Sequence, residues 1–298
     1  MTTTTTATPT PTPMPPTTPT PVTSPNRTPV YSSARQWGLI ARLRLLFERR
    51  DLIWELTSRN LKIRYRRSIF GFLWAVVNPL ANALVYAFVF QVLLHSPIER
   101  FVLFIVIGLV AWNAFAQSVL ESMYIITGSA SLVTRVRFPH EVLPIAVVLT
   151  NTINFLFAMP SVFILMIVTH AHFKGEIAYF PVVLLSTFCF ALGISFISSA
   201  VAVFFQDTRN FLDIVINLWF FLTPIIYRMK DVVSPDLQQY VYYANPMASV
   251  IESYRLMFYD NAPPDPLFIL RTLASCVLTM VIGWLIFAKL SPRFVEEM

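Results

Sequence analysis

Six apolar segments, at about residues 69–94, 101–127, 142–169, 179–205, 211–228 and 267–288, constrain this chain more than any other feature. Each is near the ~20 residues a helix needs to cross the hydrocarbon core of a bilayer. In that solvent each backbone N–H and C=O must be satisfied within the protein, so apolar runs of this length span as helices. Prolines inside them (Pro79, Pro144, Pro160, Pro224) kink such helices without abolishing them. Composition agrees: 56% of the 298 residues are hydrophobic and 13% charged, against roughly 25% charged in soluble domains. The reading is an all-α integral membrane protein. The turn QDTRN between the fourth and fifth segments is tight. Residues 229–266 form a long proline-containing stretch with two short amphipathic pieces, near Pro235–Tyr243 and Pro246–Tyr259.

The remaining sequence is of two kinds. Thirteen threonines and nine prolines fall within the first 30 residues. Such a segment cannot bury apolar surface, so residues 1–31 are expected to form an extended cytosolic tail. It lacks the apolar core of a signal peptide and is not expected to be cleaved. Residues 32–68 read as a cytosolic interface region and 69–298 as the transmembrane domain. From Ser32 to about Asn60, the residues Trp37, Ile40, Leu43, Phe47 and Trp54 recur at helical spacing among five arginines, Arg35 to Arg50. That pattern suits an amphipathic helix at a membrane surface, or one packed on a partner.

The formal net charge of +6 is read by position. With the N-terminus inside, sixteen of the 22 Lys and Arg residues fall in cytosolic regions and six outside. This bias puts both termini in the cytosol. The block Lys62, Arg64, Arg66, Arg67 then marks the inner boundary of the first span. Nucleic-acid binding, the other reading of a basic chain, conflicts with so much sequence in lipid. Cys189 and Cys276 both lie in apolar segments and read as small buried hydrophobes.

Enzyme signatures are missing. No GxxxxGK[ST] loop occurs and none of the seven glycines precedes a lysine, so ATP hydrolysis is not encoded here. There is no HExxH or paired-cysteine metal site; His170, His172 and Glu176 read as an ordinary outer loop. No Ser/His/Asp arrangement stands out, and no bound cofactor is expected.

Polar residues inside the spans carry more information, because they are costly there unless they face other helices or water. Trp74, Asn78, Asn82 and Tyr86 make one row at fourfold spacing. Asn113, Gln117, Glu121 and Tyr124 make a second, and Asp213, Asn217, Phe220, Pro224 and Tyr227 a third. Residues so spaced share a helical face. The rows suit a polar, aromatic-lined passage for sugars, since amides bond hydroxyls and aromatic faces stack on sugar rings. Hydrogen bonds between helices, with interfacial aromatics, would account for them too. Glu121 and Asp213, near inner helix ends, could meet an incoming head group or pair with Arg64, Arg66 or Arg67.

The stretch RDLIWELTSRNLKIRYRRSIFGFLWAVVNPL, residues 50–80, resembles the opening of the permease subunits of type-2 ABC exporters. The similar branch exports O-antigen, capsular polysaccharide or teichoic acid. Residues 108–146, 205–227 and 245–255 match in the expected order. The resemblance implies a homodimer of six-helix permeases in a prokaryotic cytoplasmic (inner) membrane, bound to two ATPase subunits that carry ATP and Mg. It implies that an interface helix with Arg49, Arg50 and Asp51 docks the ATPases. The loop SASLVTRVRFPHE (129–141), with Arg135, Arg137, Phe138, His140 and Glu141, docks them as well. It assigns the channel to helices one, two and five, and short re-entrant helices to 229–266. There Glu252 and Arg255, three apart, could pair with each other or sit as plain surface charges. Other readings are a type-2 permease for a drug or small lipid, a secondary transporter, or a membrane glycan-transferring enzyme using Asp231, Asp236, Asp260 or Asp265.

Overall fold

The computed structural model describes residues 39–66, 68–95, 97–129, 138–171, 175–205 and 207–294, with residues 2 and 297. The chain divides into two units, Met1–Gln36 and Trp37–Met298, and every element below belongs to the second. The Thr/Pro tail apart from residue 2, residues 32–38 of the expected interface helix, and Arg67 lie outside the described residues.

No strand forms among the described residues. The interface region makes two helices, α1 (Leu39–Glu48) and α2 (Arg50–Tyr65). The helix stops where cations give way to apolar residues: Arg66 is extended, and a turn follows around Gly71. Gly71 has φ +51°, while nothing lies within 4 Å of a Cβ added there. Backbone conformation therefore calls for glycine at this corner, and space does not. The Gly71 amide donates to Ser68 Oγ at 3.1 Å, which closes the turn.

Among the described residues, five helices are long and apolar enough to span a bilayer. They are α3 (Leu73–Ala87) with its π-helical extension Phe88–Leu93, α4 (Phe101–Gly128), α5 (Val142–Val168), α6 (Phe180–Phe204) and α11 (Pro266–Leu290). The segment expected over 211–228 differs. Its helix, α7 (Thr208–Leu222), has 15 residues, about 22 Å at the α-helical rise, short of the ~30 Å core. Pro224 ends it, since proline offers no N–H to the ladder. Thr223 then donates its hydroxyl back to the Trp219 carbonyl at 2.8 Å.

Beyond α7 come a single turn α8 (Met229–Val232), then α9 (Pro235–Ala244) and α10 (Pro246–Phe258). Local chemistry sets two of these starts. Asn245 accepts from the Ala248 amide and Asp265 from the Leu267 amide, with Pro246 and Pro266 at the first helical positions.

The long helix α4 is the hub, packing against α3, α5, α6, α7 and α10. On its far side, α6 and α11 run in close contact. A Cβ at Gly193 would come within 2.6 Å of the Thr279 carbonyl oxygen, and one at Gly283 within 2.1 Å of the Gly193 oxygen. In a bilayer such backbone approach replaces the hydrophobic drive between helices.

Candidate functional site

Where α3 and α4 face each other they enclose, with α2 and α5, a cavity of about 540 Å³. Trp74, Asn78 and Asn82 line it from α3, and Asn113, Gln117 and Glu121 from α4. The fourfold spacing of both rows puts these side chains on one face of each helix. The amide rows are not buried by ordinary helix packing within the chain. Between Phe101 and Ile126 the exposed residues of α4 are Asn113, Gln117 and Tyr124. An amide row that only joined helices would be buried; this one faces open space.

A network of charge-assisted bonds lines one end of the cavity. Arg64, in the last turn of α2, gives one Nη2 to both Glu121 carboxylate oxygens at 2.6 and 2.8 Å. Its Nη1 donates to Asn151 Oδ1 at 2.9 Å, and Asn151 Nδ2 returns to Glu121 Oε2 at 2.9 Å. One closed ring of bonds thus joins the interface helix, α4 and α5. Tyr65 adds a hydroxyl bond to Asn154 Oδ1. Charge-assisted bonds of this kind are worth more than neutral ones, about 1.5–3 kcal/mol each. Arg66 is exposed. Asn151 and Asn154 were not singled out in the sequence, although their three-residue spacing in an apolar segment follows the same rule as the three rows.

The third row lies elsewhere in this chain. Asn217 is exposed and bonds the Asp213 carbonyl of its own helix at 2.9 Å. Phe220 is buried against Trp112 and Tyr86, with ring centroids 5.8 and 6.4 Å away. Tyr227 donates to the Phe221 carbonyl at 3.3 Å. The structure brings Trp74, Asn78, Asn82, Asn113, Gln117 and Glu121 together; it does not bring Tyr86, Asp213, Asn217, Phe220 and Tyr227 to that cavity.

Of the expected docking residues, Arg49, Arg50 and Asp51 are exposed at the break between α1 and α2. Arg135 and Arg137 lie outside the described residues. Phe138 and His140 are half-buried with their rings edge to face at 5.7 Å, and Glu141 is buried. Burial pushes the His140 imidazole below its usual pKa range.

In α10, Arg255 does not pair with Glu252. Its guanidinium, 2% exposed, donates to the carbonyls of Pro224 and Ile225 at 2.5 and 2.6 Å. It also stacks 3.6 Å from the Phe104 ring centroid. Gly108 makes the room, since a Cβ there would come within 3.2 Å of Arg255 Nη2. The carbonyls freed where α7 stops at Pro224 are therefore capped by an arginine from α10. Beside it, Tyr259 donates to the Glu99 carbonyl at 2.6 Å and accepts from Arg228. The sequence held a signal for this: Ile251, Tyr254, Arg255 and Phe258 share a helical face, and an apolar row carrying one arginine points inward.

Residues 51–259 match the ABC-2 type transporter family. The chain belongs to that family. As an ABC-2 transporter it is a multi-pass membrane protein and a transport component rather than an enzyme, and it relies on a separate ATP-binding partner. Among its relatives is the O-antigen export system permease protein RfbA of Myxococcus xanthus, 33% identical over 259 residues, 87% of this chain and all of that protein. Two proteins of the same description from Klebsiella pneumoniae are each 31% identical. They cover 83% of this ABC-2 chain and 94% of their own length.

Proposed function

We propose that the chain is the channel-forming permease of an ATP-driven exporter of lipid-linked polysaccharide, an O-antigen or similar glycan. It would act as a homodimer with two ATPase subunits in a prokaryotic cytoplasmic membrane, both termini cytosolic. The observation that carries this reading is the exposed amide row of α4 facing the amides and Trp74 of α3 across one cavity. The names of its relatives support the same cargo. A polymer must slide, so no single contact can hold it tightly. Asn78, Asn82, Asn113 and Gln117 each exchange hydrogen bonds with hydroxyls at a net ~0.5–1.5 kcal/mol, and Trp74 offers a face for transient stacking. A drug or small-lipid permease would need an apolar wall in place of this one.

The test is to purify the permease–ATPase complex from its native membrane and analyse the lipid extracted from it. A lipid-linked glycan enriched over the bulk membrane, and stimulating ATP hydrolysis when added back, is the expected result. Enrichment of simple phospholipid alone, with stimulation by apolar drugs and none by glycan, would overturn the reading.

A further inference from the structure

Just beyond α11, Phe294 packs against the base of the loop expected to dock the ATPase. After α11 the chain runs on through the 3₁₀ turn Ser291–Arg293, where the Phe294 amide bonds the Ser291 carbonyl at 3.3 Å. Lys289 and Arg293 stay exposed while Phe294 is fully buried. Its ring stacks on His140 at 6.1 Å and 26°, and lies edge-on to Phe287 of α11 at 5.4 Å. Phe204, at the end of α6, is 6.1 Å away. Rings thus run without a gap from Phe138 through His140 and Phe294 to two spanning helices that the loop itself does not join. A packed aromatic series centred on buried Phe294 and Phe287 moves as a unit, because close-packed interiors transmit displacement.

We infer that Phe294 is a positioning residue for ATP coupling: it ties segment 138–141 to α6 and α11, so that a push on the loop moves the far helix pair as well as α5. The inference rests on the docking role of that segment. Burial disfavours the charged imidazolium, which suits His140 to its stack on the buried Phe294 ring.

The experiment uses the complete permease–ATPase complex in proteoliposomes and measures assembly, ATP hydrolysis and glycan exported per ATP. Phe294→Ala is expected to assemble but to export less per ATP, by between about twofold and thirtyfold. Phe294→Tyr should restore the ratio, because it restores the ring. If Phe294→Ala aggregates, Phe294→Leu takes its place, keeping the volume and losing the stack. An unchanged export-to-ATP ratio in a well-assembled ringless variant would overturn the inference. Phe138→Asp tests the docking role separately: normal assembly and export there would remove the role itself, whatever Phe294 does.

Discussion

Replacing Arg64 with Glu is expected to open the inner end of the cavity and uncouple the transporter. Arg64 holds Glu121 at 2.6 Å and Asn151 at 2.9 Å, so the change removes the arginine's bonds, leaves only that from Asn151 to Glu121, and sets two carboxylates face to face. Losing about 1.5–3 kcal/mol from the closed arrangement shifts its population by roughly ten- to 150-fold. In proteoliposomes containing the full complex, Arg64→Glu should raise ATP hydrolysis without glycan and let a small hydrophilic dye leak out. Glu121→Arg should do the same. The two together restore an opposite-charge pair and should recover most of the closure, a double-mutant cycle that isolates the pair from loss of fold. If both single variants stay tight and coupled, the ring is packing and not a latch.

Arg255→Ala is expected to be the most destabilising single change in the outer half. It strands the Pro224 and Ile225 carbonyls, removes the guanidinium from Phe104 and leaves a void beside Gly108. Two orphaned acceptors plus a cavity amount to about 3–5 kcal/mol. The detergent-purified protein should unfold at least about 6 °C lower, and protease should gain access near residues 223–228. Arg255→Lys should recover little. An ammonium is a point charge and cannot span both carbonyls while stacked on a ring. A Lys variant as stable as the parent would mean that charge alone, without the planar fork, holds α7 to α10.

The sequence offers Arg64 as a partner of Glu121, as the structure has it, whereas for Arg255 it offers only Glu252 or the surface. Helix positions were legible because apolar length and punctuation by Pro, Gly and Asn act locally. The start of α10 at Pro246 and the end of α2 near Arg66 follow from single residues. The rows Asn78–Asn82 and Asn113–Gln117 were legible too, because fourfold spacing guarantees a shared face. What spacing cannot convey is what that face meets. Asn217 bonds its own helix backbone just as Asn82 does, yet Asn82 lines the cavity and Asn217 does not, and Phe220 is buried among other rings. The partner of Arg64 lies 57 positions away and that of Arg255 30 positions away. Each depends on how helices cross, which no local pattern encodes. The early end of α7 was half visible: Pro224 was noted as a kink, and the arginine that makes its freed carbonyls tolerable came from another helix.

The central claim is that the amide-lined space between α3 and α4 is the passage. Cys189 and Cys276 are both buried, so an introduced thiol can be read against little background. Asn82→Cys, Asn113→Cys and Gln117→Cys are to be treated with a charged maleimide while the complex turns over ATP. Leu84→Cys and Val85→Cys, on the outward face of α3, serve as comparison. Labelling at 82, 113 and 117, slowed by added lipid-linked glycan and absent at 84 and 85, is the predicted result; labelling at 84 and 85 with 82, 113 and 117 silent would contradict it.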